Sequence, residues 1–466
     1  MEEQLLDLIE KGISYLQDLG VDFGDIRIEE QNTTSIFIVN KEIRSVSTNF
    51  QSGLSVRALV NGRWGYASTN ILSMDEVKRA IDAAYNSAKV VADMTSSKKI
   101  NLDVKQIKAR VKADVKEDPT TVGLEEKLSI LFDINKAQQN FDERIINTNT
   151  RYGETKLKVY LGNTVGSTLE WEEIRTVVFA MSLAQEAGKI QYSYNTADGT
   201  RGFELVRELN YEEFGTKPSE EAINLLSAKK PPSGNLIVIA DPSISGLLAH
   251  EVMGHASEGD EIVKRRSFLT DVIGKKVASE NITMIDDGTI KGAHGTIPYD
   301  SEGTPSSRTV IIDKGIYKGY MHSLETASIL GARPTGNGRA QDTNRRVWVR
   351  MTNTFFDKGD WSLDEMISET KSGILAIKAI SGMEDPVGGG FEGRALMGYT
   401  IENGEKKELV RAFTLTGKTL EILKTVDAVS KDFQLEGGFC GKGEEDWVPV
   451  STGGAYIRAQ IIVGGG

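Results

Sequence analysis

Apolar positions near the start of the chain fall at Leu5, Leu6, Ile9, Ile13 and Leu16, with charges between them. That three-to-four-residue spacing predicts an amphipathic helix over residues 3–19. The period then changes. From Asp25 to Thr69 β-branched and aromatic residues alternate with polar ones, and "NKE", "QSG" and "VNGR" interrupt them. This predicts several short strands joined by tight turns. Helical spacing returns over about residues 74–93, over "LEEKLSILFDINKAQQN" and over "YEEFGTKPSEEAINLLSAK", with strands expected from Arg144 to Ala187. The stretch "SSKKINLDVKQIKARVKADVKEDPTT" is charged and weakly periodic, and predicts no element.

A break falls at "KKPPSG", residues 229–234, where adjacent prolines and Ser-Gly separate a helix from the apolar run "NLIVIADP". Beyond it, "ITMIDDGTI", "TVIIDKGIYKGYMHS", "RVWVRMTNTFF", "GYTIENGEKKELVRAFTLTG" and "AYIRAQIIVGG" read as strand pairs with glycine turns. The expected fold is therefore α+β in two domains. Residues 1–230 form a mixed N-terminal domain, and residues 231–466 a β-rich C-terminal domain. No internal repeat or low-complexity tract interrupts this plan.

A chain of 466 residues is too long for one ordinary core, which agrees with two. A net charge of -12 argues against a general nucleic-acid binder, which needs a basic footprint. The single cysteine, Cys440, excludes an internal disulfide and fits a reducing compartment. The first residues lack the apolar core of a signal peptide, and no apolar run reaches about 18 residues. These features point to a cytoplasmic protein without a membrane span.

The chemistry concentrates in "LLAHEVMGHASEGD", which holds His250 and His255, two of only four histidines. The familiar zinc-peptidase motif spaces its histidines four apart on one helical face. Here the spacing is five, and in an α-helix residues five apart point about 140° from each other. A π-type turn brings them back toward one face, and Gly254 makes such a distortion cheap. Glu251 then lies beside both rings, placed to act as general base toward a metal-activated water. Cys440 offers a soft third ligand that zinc accepts alongside two imidazoles. It sits in "LEGGFCGKGEEDWVPV", read as a glycine-rich loop able to approach a site closely.

Other residues carry weaker signals. His294 and His322 stand singly near turns and read first as packed side chains, with electrophilic or supporting roles open to them. "GARPTGNGRAQDTNRRVWVRMTNT" carries Arg339, Arg345, Arg346 and Arg350. Their guanidinium forks could hold a peptide's terminal carboxylate or carbonyl, or form a solvated basic turn. Tyr320 is a candidate oxyanion donor or a core residue.

The ordered blocks "HEVMGHASEGD", "IDDGT", "DSEGTPS", "GIYKGYMHS", "PTGNGR", "RMTNTFF" and "CGKGEEDWVPV" resemble the TldD/PmbA family, a family named for modulation of DNA gyrase, and specifically its TldD branch. The match runs from about Gly246 to the C-terminus. The first half agrees in layout only. The resemblance implies a zinc metallopeptidase with the site in the C-terminal domain. His250, His255 and Cys440 would be the ligands and Glu251 the catalytic base. It also implies unfolded peptides as substrates and a dimer, either with a PmbA/TldE-like subunit or with a second copy. Two alternatives stand beside it: a non-catalytic regulatory subunit stabilised by its metal, and a hydrolase of non-peptide amides.

Overall fold

The computed structural model describes residues 2–94, 100–385, 387–443 and 446–465. Helix α1 (Glu2–Asp18) opens the chain and precedes β1 (Phe23–Val39), β2 (Glu42–Val60) and β3 (Arg63–Thr69). Then come α2 (Met74–Met94), β4 (Lys108–Val111), α3 (Leu124–Asn140), β5 (Ile145–Asn163), β6 (Thr168–Glu186) and β7 (Lys189–Gly199). Two helices close this half, α4 (Glu204–Arg207) and α5 (Tyr211–Leu226). The expected helices are present, and β4 adds a strand within the charged stretch where none was expected. The first residues of that stretch, 96–99, lie outside the described residues.

The strands here are long rather than short. The turns at "NKE" and "VNGR" form, with Asn40, Lys41 and Asn61 in the left-handed region that two-residue hairpins require. "QSG" is not a turn. Gly53 pairs in register with Glu29, and a Cβ there would lie 2.4 Å from Thr343 Oγ1. The glycine leaves room for a neighbouring segment and does not reverse the chain.

The first sheet runs β3-β2-β1-β5-β6-β4, with β7 on β6. Alternation divides its faces. Ile26, Ile28, Leu54 and Val56 pack under α1 and α2, and Ile36 and Ile38 pack against α3. Asp25, Arg27, Glu29 and Gln31 fall on the opposite face, which looks toward the second half of the chain.

That half begins with β8 (Gly234–Ala240) and α6 (Pro242–Leu247). It continues with β9 (Met284–Asp287), β10 (Arg308–Asp313), β11 (Ile316–Tyr317), β12 (Gly338–Arg339), β13 (Trp348–Val349) and β14 (Asn353–Phe356). The last strands are β15 (Ser372–Asp385), β16 (Gly390–Glu402), β17 (Glu405–Lys418), β18 (Ala428–Cys440) and β19 (Val448–Gly464). Pairings from β8 through β15, β16, β17 and β19 return to β8, so five strands close a ring. Side chains such as Val238, Ala376, Phe413 and Ile457 share one core with Ile244, Leu248 and Val252 of the helical segment after β8. That segment, which carries the two histidines, is thus fixed by the main core of this half.

Polar contacts join the halves. Arg57 pairs with Asp25 on its own sheet and, at 2.5 Å, with Glu302 across the junction. Arg175 donates to the carbonyls of His294 (2.8 Å) and Thr296 (2.9 Å).

Candidate metal centre

The histidine segment is built from its N-terminus. Asp241 caps α6, its carboxylate accepting from Ile244 N (3.0 Å) and Ser243 Oγ (2.7 Å), and Pro242 takes the first helical position. Gly246 lets the helix meet β19 backbone to backbone, since a Cβ would lie 2.1 Å from Gly453 N. The winding then widens into a π-helix over Leu248–Gly254, and the His255 N–H reaches back five residues to His250 O. This is the turn that a five-residue histidine spacing needs. Gly254 also fits its surroundings closely, since a Cβ there would lie 2.1 Å from Met351 Sδ and that side chain would have to move.

The π turn puts the two imidazole centroids 5.3 Å apart with their planes at 81°. Cys440, at the end of β18, brings Sγ to 3.3 Å from His255 Nε2. One ligand atom from each of His250, His255 and Cys440 lies within 4.8 Å of the others. Tetrahedral zinc with its usual bond lengths separates a nitrogen and a sulfur ligand by about 3.6 Å, so this donor set has the right size and chemistry. His250 and Cys440 are buried, and His250 Nδ1 has no hydrogen-bond partner. Glu251 is half-buried on the same turn; burial opposes charging of His250, while Cys440 and then Glu251 raise its pKa.

Burial would lift the Cys440 thiol, but the neighbouring His250 and His255 outweigh it and hold the pKa down to about 4. The thiolate is the form that metal binding requires, whereas the two imidazoles, whose pKa values the same pairing raises, release their protons when they ligate a metal. Burial pushes His255 toward neutrality, while Glu258, then Cys440, raise it well above its ordinary value.

A charged cradle lies behind the three residues. Glu258 sets Oε2 3.3 Å from His255 Nδ1 and accepts from Lys442 Nζ at 2.6 Å. Lys442 also donates to Asp260 (2.7 Å) and to Val349 O (3.2 Å). Burial opposes ionisation of Glu258, yet Lys442, then His255 and Arg350, bring its pKa down to about 2. A carboxylate behind an imidazole fixes the ring's tautomer and orientation. Sequence reasoning did not single out Glu258 or Lys442. The available signals were three-residue spacing from His255 and two-residue spacing from Cys440.

The remaining predicted residues are dispersed, and several are already committed. Tyr320 donates its hydroxyl to Leu269 O at 2.8 Å, so it has no proton for an oxyanion. Arg350 is fully buried and donates to Cys440 O and Asp446 O, both at 2.5 Å, which makes it a brace for the cysteine strand and not a substrate clamp. His322 is buried against Thr326 (3.3 Å), and burial lowers its pKa to about 4. Arg345 lies at the surface 3.4 Å from Asp446, and Arg346 stacks 3.7 Å over Trp348. Arg339 is buried and donates to Met351 O (2.5 Å) and Pro449 O (2.7 Å). The expected glycine loop before Cys440 is strand, with Gly437 and Gly438 paired to Ser451 and Val450. Gly437 is needed because Asp198 Oδ1 occupies the space 2.1 Å from where its Cβ would be.

No described helix is long and apolar enough to cross a membrane. Three sequence profiles match in order: PmbA/TldA metallopeptidase domain 1 at residues 24–88, the central domain at 117–226, and the C-terminal domain at 233–465. A metalloprotease of Methanocaldococcus jannaschii is 39% identical over 458 residues, covering 98% of this chain and 99% of that protein. A zinc metalloprotease TldD homolog of Saccharolobus solfataricus is 26% identical over 98% of this chain and 99% of its own length. In structure, a Thermotoga maritima protein designated a candidate modulator of DNA gyrase superposes with a TM-score of 0.81 at 21% identity, covering 98% of this chain and 99% of that one. TldE from Thermococcus kodakarensis gives 0.76 at 20% identity, covering 98% and 100%. The profiles and the identity over almost the whole length show that this chain belongs to the PmbA/TldD family of metallopeptidases.

Proposed function

We propose that this chain is a zinc-dependent peptidase of the TldD type, with His250, His255 and Cys440 as metal ligands and Glu251 as general base. The observation that carries the reading is the convergence of those three donor atoms within 4.8 Å. A zinc ion held there would supply Lewis acidity toward water and toward a scissile carbonyl. Glu251 takes the proton of the attacking water on its carboxylate and passes it to the departing amine. Glu258 accepts from His255 Nδ1 and keeps Nε2 turned toward the site. Among the described residues the group has three members, one short of the four that close a structural zinc site, which favours catalysis over a purely stabilising role.

Unfolded peptides are the proposed substrates, and the proposed assembly is a dimer with a TldE-like subunit or a second copy, in the cytoplasm. Residues 1–230 and 231–466 are taken as its two domains. The test is Glu251→Gln, assayed on short and long unstructured peptides alongside metal content. The reading expects full metal content and peptide turnover reduced at least about a hundredfold. Undiminished turnover would remove Glu251 as the base.

A further inference from the structure

A cavity of about 700 Å³ lies between the bare face of the first sheet and the loops of the second half. That volume is within the range of ligand pockets, about 300–1,000 Å³. It is separate from the metal cluster. Phe439 lines it, whereas Cys440, the next residue on an extended strand, directs its side chain to the opposite face and into the core. Much of its wall is apolar, including Trp171, Phe179, Tyr299 and Phe439.

Among the described residues, His294 on this wall lacks the hydrogen-bond partner that buried polar groups normally have, and Arg339 has carbonyl acceptors but no carboxylate in ion-pair contact. His294 is 2% exposed, and neither ring nitrogen makes a hydrogen bond. Its nearest acidic neighbour, Asp198 Oδ1, stands 4.0 Å from Nδ1, beyond hydrogen-bond reach. The Asp198 carboxylate already accepts from the backbone N–H of Gly437. Arg339 is 5% exposed and donates only to carbonyl groups, and among the described residues it forms no ion pair. Carboxylates elsewhere on the wall are engaged: Glu173 pairs with Arg175, Glu154 with Lys127 and Glu29 with Arg27, Asp300 accepts from the backbone N–H groups of Glu302, Thr304 and Gly338, and Asp342 accepts from Gln341 and the Asn344 N–H. His294 and Arg339 belong to one patch, for Arg339 holds Pro449 O, Pro449 pairs with Phe439, and the Phe439 ring meets the His294 ring at 5.6 Å. Burial, then Arg175 and Arg339, lower the His294 pKa to about 3, so the ring is neutral and has one N–H to give in either tautomer.

A buried guanidinium that touches no carboxylate, with Glu173 and Asp286 acting on it only from beyond ion-pair contact, beside an unengaged imidazole N–H and apolar walls, is complementary to an anion attached to an apolar group. We infer that this cavity is a second binding site, which takes a peptide segment carrying a carboxylate next to an aromatic or branched apolar side chain, with the carboxylate between Arg339 and His294. The inference rests on the peptidase reading for the ligand being a peptide, and the carboxylate could be the chain terminus or an acidic side chain.

The test is calorimetric binding to full-length, metal-loaded Glu251→Gln protein. The probes are acetyl-Ala-Phe free acid, its carboxamide, and acetyl-Asp-Phe carboxamide. At least one acid should bind about tenfold or more tighter than acetyl-Ala-Phe carboxamide, and which one does so separates terminal from side-chain recognition. In His294→Leu that advantage should fall to less than about threefold. Arg339→Met should lower it further, and the comparison of acid with amide in unmodified residues stands even if that variant folds poorly. Equal binding of acids and amide, or an advantage undiminished in His294→Leu, would overturn the site. Because the readout is binding and not turnover, it can fail while Glu251 remains the base, and it can succeed if Glu251 is not.

Discussion

Glu258→Gln tests the electrostatic support of the metal site. The side chain is fully buried, with Lys442 Nζ at 2.6 Å, His255 Nδ1 at 3.3 Å and Arg350 Nε at 3.9 Å. The amide is nearly isosteric and removes the charge while keeping the volume. A pKa brought from its ordinary 4.5 to about 2 corresponds to about 3 kcal/mol, at about 1.4 kcal/mol for each factor of ten. Lys442 retains Asp260 at 2.7 Å, so the loss of stability should be smaller, about 2 kcal/mol. Zinc affinity should fall about 10–100-fold, because a neutral amide holds the His255 N–H less firmly. The assays are urea unfolding of the metal-free protein and competition for zinc against a chromophoric chelator. The dependence on pH follows from a depressed carboxylate. Its stabilisation is fully present above the unfolded value near 4.5 and disappears as pH falls toward 2. The stability gap between wild type and variant should therefore be greatest between about pH 5 and 6.5, shrinking below that window as Glu258 is protonated and above it as His255, whose pKa Glu258 raises, loses its proton. Zinc affinity within twofold of wild type would refute the supporting role, and a gap that widened on acidification below about pH 5 would refute the charge argument.

Two further substitutions test how the histidine segment is fixed. Gly246→Ala places a methyl 2.1 Å from Gly453 N, where no rotamer can relieve it, and should cost about 3 kcal/mol in urea unfolding. Stability within about 0.5 kcal/mol of wild type would contradict that backbone contact. Asp241→Ala removes the helix cap, leaves Lys378 N without its acceptor and Ile244 N with only the carbonyl of residue 241, and should cost about 2 kcal/mol by the same measurement. An unchanged midpoint would show that the cap is dispensable.

The helices of the first half were legible because their apolar stripes are strong, as at Leu5, Ile9 and Leu16. The π turn was legible for a different reason: an α-helix cannot make residues 250 and 255 converge, and Gly254 marked where the winding could change. Cys440 was legible through its soft chemistry and its being the one cysteine. What escaped the sequence depends on distant neighbours. Gly53 and the Gly437–Gly438 pair look like turns, yet they are strand residues, and the missing side chains of Gly53 and Gly437 make room for Thr343 and Asp198. β15 was not singled out, and Lys378, in the left-handed region beside a register shift, breaks its alternation. Glu258 reads as an ordinary helical acid until Lys442, 184 residues later, is brought against it.

The central claim is that His250, His255 and Cys440 together hold the metal. Elemental analysis of wild type, His255→Ala and Cys440→Ala, purified alike and checked for folding by circular dichroism, tests it most directly. The account predicts close to one zinc per wild-type chain and, in each folded variant, less than about a tenth of that. Full zinc content in both variants would contradict it.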